Sequence, residues 1–442
     1  MTGKNTLPKV LIVSRGTWDD SKGTSSTLTN LFADYNPDLL AHIYIETCEP
    51  NTKCCYRFFQ ISEFSLIHKL YKWRIQTGHA FDTRNKDHSA VNRRIASQEE
   101  ATMKYVRGHR SLFYSLMREV LWGFNGWKSK ELKQFIHDFD PDVIWMDGSP
   151  LPLMNRLYNH VLKIAKKPAV IFMQDDIYTY ESCGKSFLQK IRRFHLRNVV
   201  RRVVKQCDKM FVASPKMKKE YDEIFGVEST FIAKSIDFSE VIDKKQNRIH
   251  NPIRFVYLGQ VIYGRIYSLI AIARALAKVN KENLKAQLYV YTNNEISEEL
   301  KKQLLVKDSV FLMPPVPYSE VSKVMDENDV VVFVESFDSR FCKVARLSFS
   351  TKICDYLASG KCILAIGPSD LAPIEYFMEE DAALVATSTD CIEKQIELLT
   401  HQETVEEYIA KARCCAEKNH DRSRMNKLIY DTLGELVKKS QK

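Results

Sequence analysis

Two α/β domains, each a doubly wound, mostly parallel sheet with helices on both faces, are what this sequence predicts. Three observations predict it. Short, continuously apolar runs such as "VLIV", "VIWM" and "VVVFV" alternate with longer helical stretches, the pattern of strands buried on both faces by crossover helices. One polar segment, "IDFSEVIDKKQNRIHNP" (236–252), interrupts the alternation, and the same grammar restarts behind it. The 442 residues also exceed what one ordinary core holds. The expected organisation is an amino-terminal domain over 1–236, a linker over 237–252, a second domain over 253–420, and a closing helix over 421–442 directed back towards the first domain.

The elements follow in order. "KVLIVSRG" reads as a buried strand, then a loop with Gly16 and Gly23, then "TSSTLTNLFADY" as a helix with hydroxyls at its start. Further on, "LKQFIHDFD" ends a helix, "PDVIWMDG" is a strand, "LPLMNRLYNHVLKIAKK" a helix and "PAVIFMQDD" a strand. A basic helix spans 187–205, with Phe187, Ile191, Phe194, Val200, Val203 and Val204 expected to be buried and Lys190, Arg193, Arg197 and Arg201 on another face. "KMFVAS" closes the first half as a strand. After the break come "IRFVYLG", the helix "SLIAIARALAKVN", "KAQLYVYT", the helix "ISEELKKQLLVK", "VFLMPP", the helix "YSEVSKVMDEN", "DVVVFVES", a helix over 352–359, "CILAIG", and a helical tail over 405–438. Ligands of such sheets bind beyond the carboxyl ends of the strands, so a cleft between the halves is the expected site.

Composition narrows the class. At 45% hydrophobic and 27% charged residues, the chain is of globular type. Its start, "MTGKNTLPKVLIVSRG", reads as a first strand rather than a leader, and no apolar stretch is long enough to span a bilayer. Eleven scattered cysteines form no CxxC ladder, which suits reduced thiols in the cytoplasm. The net charge of +10 is concentrated in residues 185–219, where twelve lysines and arginines face Asp208 alone. Such a block attracts nucleic acid, an anionic bilayer or phosphorylated ligands; a solvated helix face is the plain alternative. No helix-turn-helix, RNP or zinc spacing supports nucleic acid as partner.

"LSFSTKICDYLASGKCILAIG" (347–367) places two hydroxyls and a lysine at a helix start. The first N–H groups of a helix lack internal partners and sit at a positive dipole end. Ser350 or Thr351 as cap or donor, with the Lys352 charge, makes a compact site for phosphate oxygens. Asp355, one turn on, suits sugar hydroxyls, and Gly360 ends the helix. A capped surface helix with a solvated lysine fits the same residues.

The segment "TKICDYLASGKCILAIG" resembles the donor-site segment of family 4-type glycosyltransferases, which have the two-Rossmann GT-B architecture. "FVYLGQVIYGRIYSLIAIARAL" is similar to that family's strand, Gly-Arg, loop, Lys-Gly and helix: Gly259 matches the glycine, Gln260 falls on the arginine and Arg265 on the lysine. "FVASPKMKKEYDEIFGV" followed by "SIDF" resembles the end of the amino-terminal domain. Of the family's paired acids, only the second is present, as Asp355; Leu347 stands at the first position, and Glu335 is the candidate replacement. Gln174 stands where a histidine often precedes an aspartate.

The resemblance implies transfer of a sugar from a nucleotide diphosphate sugar to an acceptor hydroxyl. Retention of configuration follows from it, with the leaving phosphate helping to deprotonate the acceptor and no cofactor or metal required. Arg265, Lys352 and Glu335 are the catalytic candidates. Gly16, Gly259, Gln260, Ser350, Thr351 and Asp355 are the donor-binding ones, and Asp147, Asp175 and Asp176, which follow strands, face the acceptor. "DFDPD" (138–142) has D-x-D spacing but precedes its strand, so turn chemistry explains it better than a metal. Family relatives point to a lipid-linked or saccharide acceptor at the cytoplasmic face of a membrane. The basic helix, together with "YVRGHRSLFYSLMREVLWGFNGWKSK" (105–130), then meets anionic lipid, although a core helix with polar flanks explains the latter segment equally. A nucleotide-sugar 2-epimerase and a non-catalytic nucleotide-sugar binder are the alternatives.

Overall fold

The apolar runs assemble into two sheets, seen in a computed structural model that describes residues 7–20, 26–72, 74–85, 112–179, 187–239 and 249–441. Gly23, Lys185, residues 105–111 and linker residues 240–248 lie outside the described residues.

The first sheet has the order β4-β3-β2-β1-β5-β6-β7-β8. Its strands are β1 (Val10–Val13), β2 (Leu40–Tyr44), β3 (Arg57–Ile61), β4 (Gly78–Asp82), β5 (Val143–Asp147), β6 (Ala169–Met173), β7 (Lys209–Val212) and β8 (Thr230–Phe231). All pairs are parallel except β3 with β4, an antiparallel edge. The second sheet is wholly parallel, in the order β11-β10-β9-β12-β13-β14. It comprises β9 (Ile253–Leu258), β10 (Ala286–Tyr291), β11 (Val310–Met313), β12 (Val330–Val334), β13 (Cys362–Ile366) and β14 (Leu384–Ala386). Each sheet is sealed on both faces. Leu11, Ile144 and Ile171 point into one core of the first sheet, and Val10, Trp145 and Phe172 into the other.

Strand order decides where a ligand fits. In the first sheet the chain steps outward from β1 to β2 and β3, then returns to place β5 on the other side of β1. In the second it does the same around β9 and β12. At such reversal points neighbouring loops diverge and leave a crevice beyond the carboxyl ends. Gly16 and Asp147 stand at the first crevice, Gly259 and Glu335 at the second.

Two expectations need correction. The basic helix Phe187–Val204 buries Val200, Val203 and Val204, but Phe187, Ile191 and Phe194 face outward. The inner positions of its amino-terminal half go instead to Arg193 and Arg197, half-buried, which donate to the carbonyls of Thr179 and Tyr178 at 2.8 and 2.9 Å. The helical tail expected over 405–438 is broken at 420–421 into two helices, Gln402–Asn419 and Arg422–Ser440, the second of which is the closing helix expected over 421–442. Asp421 caps the second through the N–H of Arg424, 2.8 Å, and the turn between them lies against Ile236, whose N–H reaches the His420 carbonyl at 2.6 Å. Met425, Ile429 and Leu433 of the last helix then enter the core of the first sheet beside Phe32 and Trp145. Among the described residues no helix is long and apolar enough to cross a membrane.

Candidate active site

Two hollows lie at the carboxyl ends of the strands. One, of about 440 Å³, is built by the second sheet and lined by Gly259, Gln260, Arg265, Glu335, Ser350, Lys352 and Asp355. The other, of about 650 Å³, opens between the halves; Gly16, Asp147, Asp175 and Asp176 meet Ser350 and Thr351 across it. Ser350, just before the helix Lys352–Ala358, lines both.

The smaller hollow concentrates charge. Gly264, in the left-handed region at φ 78°, turns the loop after β9 into the helix Arg265–Val279. A Cβ there would stand 2.4 Å from Ser336 Oγ and 2.7 Å from the Phe341 ring, so only glycine fits. The turn delivers Arg265 into the hollow, where its guanidinium forks onto Glu335 at 2.9 and 3.1 Å from Nη2 and 3.2 Å from Nε. Burial works against the Arg265 charge, but the adjacent carboxylate outweighs it and holds the pKa above its ordinary value.

Lys352 enters from the opposite side. Its Nζ donates to the Leu258 carbonyl at 2.8 Å and lies 5.9 Å from the centre of the Tyr257 ring. A side chain at position 259 would collide with it, since a Cβ there would lie 2.0 Å from Nζ. Gly259 is therefore the vacancy that admits the ammonium. Burial, and then the charge of Arg265, lower the Lys352 pKa to about 8. Two cations held close in one hollow, Arg265 fixed by Glu335 and Lys352 by the Leu258 carbonyl, form an anion-binding centre.

The remaining candidates sort by what already occupies them. Asp355 is half-buried and paired with Lys234 Nζ at 2.5 Å, a residue that sequence reading passed over. Lys234 follows β8, and its carbonyl bonds to the His420 ring at 3.0 Å, so the pair ties the end of the first half to the donor-side helix. Thr351 does not cap: its backbone is already helical, at φ −60° and ψ −20°, and no side-chain bond closes the helix start. Ser350 Oγ accepts a long bond, 3.4 Å, from the Lys352 N–H. Gln260 is exposed at the rim, with only its carbonyl engaged, by the Tyr257 hydroxyl at 2.6 Å.

On the facing wall, Asp176 is committed to a turn, accepting from the N–H groups of Tyr178 (3.1 Å) and Thr179 (2.7 Å), the Thr179 hydroxyl and the Tyr221 hydroxyl (3.0 Å). It lines the cleft as well, so it shapes the loop of the wall where the acceptor is expected. Asp175 takes the Ser348 hydroxyl at 3.1 Å across the gap. Asp147 differs from both. Half-buried at the end of β5, it accepts only from the Trp145 indole (3.2 Å) and Gln174 among its side-chain partners, and desolvation pushes its carboxyl up to about 7. Leu347, at the position of the missing acid, is fully buried in the core of the first sheet.

Asp147→Asn tests that environment. An acid whose folded pKa of about 7 exceeds its ordinary 3.8 makes the native state lose stability as pH climbs between those values. The stability gap between the Asn variant and the wild type is expected to widen over that window and to stay constant above it. Thermal melts across the range check this; a gap independent of pH contradicts the desolvated carboxyl.

No family model and no curated protein matches the chain. Solved structures do. The chain is similar to an α,α-trehalose-6-phosphate synthase from Burkholderia multivorans, with a TM-score of 0.60 and 10% identity over 99% of this chain and 98% of that one. It is similar also to the E. coli trehalose-6-phosphate protein bound with UDP-2-fluoro glucose, with a TM-score of 0.59 and 10% identity over 96% and 98%. TarM matches 68% of this chain at a TM-score of 0.51 and 12% identity, and the chain spans only 57% of the length of TarM. At such identity the likeness is one of fold. Two Rossmann-like sheets facing each other across a cleft, matched end to end with these structures, give the chain the GT-B fold.

Proposed function

We propose that this chain is a glycosyltransferase that moves a sugar from a nucleotide diphosphate sugar to an acceptor hydroxyl. The observation that carries the reading is the convergence of Arg265 and Lys352 on one hollow that shares Ser350 with the cleft lined by Asp147. Breaking a glycosyl–phosphate bond builds charge on the departing diphosphate, and fixed cations in a partly dehydrated hollow stabilise that charge as it forms. Glu335 holds the Arg265 guanidinium in its orientation in the meantime. Asp355 serves the ribose hydroxyls, sharing its carboxylate with Lys234. Gly259 keeps open the space that the Lys352 ammonium enters, and Gly16 leaves room for the sugar at the other crevice.

The acceptor enters from the facing wall. Asp147 stands in that wall at the end of β5, with a carboxyl that desolvation raises to about 7. In the retaining route that the resemblance implies, the leaving phosphate itself receives the acceptor proton, and Asp147 orients the hydroxyl. The route requires no cofactor or metal ion. The acceptor class is a lipid-linked or saccharide hydroxyl met at the cytoplasmic face of a membrane. The similar E. coli structure is described with UDP-2-fluoro glucose bound, which makes UDP-sugars the first donors to try.

The experiment is a transfer assay with a panel of nucleotide diphosphate sugars, with and without lipid-linked and soluble saccharide acceptors. Acceptor-dependent release of nucleoside diphosphate is the expected result. Conversion of the donor into an isomer without acceptor would make the protein an epimerase and overturn the reading. Saturable donor binding with no turnover on any acceptor would make it a binding protein.

A further inference from the structure

Strand β1 ends at Val13, and the chain turns at once over its carboxyl end to put Gly16 in the wall of the large cleft. The backbone of the turn is tied to β2 and the residue after it: the Ser14 N–H donates to the Ile43 carbonyl at 3.1 Å, and the Ile45 N–H to the Arg15 carbonyl at 3.3 Å. Gly16 is held differently. Its carbonyl accepts the Ser14 hydroxyl at 2.8 Å, and Ser14 Oγ lies 2.8 Å from His42 Nε2. A serine hydroxyl carries one proton, and here it goes to Gly16. The imidazole must therefore be the donor in the other bond, which makes His42 the neutral tautomer protonated at Nε2. His42 N–H, Ser14 O–H and Gly16 C=O form one relay whose bonds reinforce each other.

Neither side chain of the relay lines the cleft: Ser14 is buried, and His42 completely so. His42 stands level with Ile12 in the parallel register of β1 and β2, enclosed by the rings of Trp18, Tyr44 and Phe58. Burial holds it neutral, with a pKa driven down to about 3. Its Nδ1 has no hydrogen-bond partner among the described residues. A buried nitrogen without a partner costs stability, so leucine would suit the same aromatic surroundings better. What leucine lacks is the N–H. By donating into Ser14 Oγ, that group occupies one side of the oxygen and leaves the hydroxyl proton aimed at Gly16.

We infer that Ser14 and His42 are positioning residues, which fix the Gly16 backbone where it lines the cleft and so set the geometry in which the transferred sugar meets the acceptor. The fixing of the turn stands on the two hydrogen bonds; its consequence for sugar and acceptor rests on the proposed transfer. Gly16 is absent from the hollow that Arg265 and Lys352 line, so binding of the diphosphate is independent of the relay.

Two measurements on Ser14→Ala, His42→Leu and His42→Gln test this. Hydrogen–deuterium exchange over residues 14–18 follows the turn whatever the reaction is. It is expected to quicken in Ser14→Ala and His42→Leu and to return towards the wild-type rate in His42→Gln, whose amide restores an N–H near the place of Nε2. Steady-state transfer follows the consequence. Here kcat/KM is expected to fall by roughly tenfold or more in the first two variants and to recover in the third. Affinity for UDP, read by calorimetry, should stay at the wild-type value in all three, which shows that fold and donor site survive. Should His42→Leu not fold, Ser14→Ala, which loses a single oxygen, carries the test. Wild-type exchange or wild-type kcat/KM in Ser14→Ala overturns the inference. So does a His42→Gln variant no better than His42→Leu, which makes His42 a filler of the core. Quickened exchange in the variants with no transfer by the wild type leaves the relay in place and overturns the proposed transfer instead.

Discussion

Replacing Lys352 with methionine is expected to remove glycosyl transfer while leaving the apo protein at least as stable as the wild type. The two effects separate because the ammonium is held at a cost. Its pKa of about 8 lies below the ordinary 10.5, so the native state resists the proton that the unfolded chain accepts. Stability therefore rises as pH climbs from about 8 towards 10.5, and at neutral pH the wild type bears the full penalty. Methionine fills much of the same volume without that penalty. Turnover, by contrast, loses a charge aimed at the leaving diphosphate, and kcat should fall by roughly two to three orders of magnitude. The check is a thermal melt together with a transfer assay. A variant that transfers sugar at near-wild-type rates removes Lys352 from the mechanism, and one that melts far lower makes it a structural residue.

The second large effect concerns Arg265 and Glu335. Arg265→Met strands a carboxylate whose side chain is 8% exposed, and an unpartnered buried charge costs about 3–5 kcal/mol. The double change Arg265→Met, Glu335→Gln removes both charges and should recover most of that loss, leaving a folded protein without donor affinity. Denaturant melts of the two singles and the double give the coupling directly. Additive losses would mean that the pair, despite its three hydrogen bonds, is not an energetic unit. A double variant that still transfers sugar would dismiss Arg265 from the donor site.

Where the sequence was legible, the strands were buried on both faces. "VIWM", "AVIFM" and "VVVFV" have no polar residue to interrupt them, and each is a central strand, β5, β6 or β12. The first-half stretch over 40–82 gave no such signal. β2 contains His42, β3 Gln60 and β4 His79, and these polar residues sit in strands shielded by a crowd of aromatic rings, including Tyr44, Phe58 and Phe81. His42 is fully buried, and burial alone drives its pKa down to about 3, so it behaves there as a neutral polar core residue bonded to Ser14 Oγ at 2.8 Å. Tertiary surroundings, not periodicity, make those segments strands.

The candidate site divides along the same line. Lys352 could be found from the local chemistry of a helix start, and Gly259, which clears its path, from the resemblance. The outward placement of Phe187, Ile191 and Phe194 could not, because helical periodicity says which residues share a face and not which face turns inward. Two arginines took the inner positions because the carbonyls of Tyr178 and Thr179 needed donors there. Lys234 was invisible for a similar reason: its partner, Asp355, is 121 residues away.

The central claim is that Arg265 and Lys352 together hold a diphosphate, and calorimetric titration of the apo protein with UDP and with uridine tests it most directly. Two charge-assisted contacts predict that UDP binds about a hundredfold or more tightly than uridine, and that Lys352→Met removes most of the difference while uridine binding stays as it was. Equal affinity for UDP and uridine, or an undiminished preference for UDP in the variant, would contradict it.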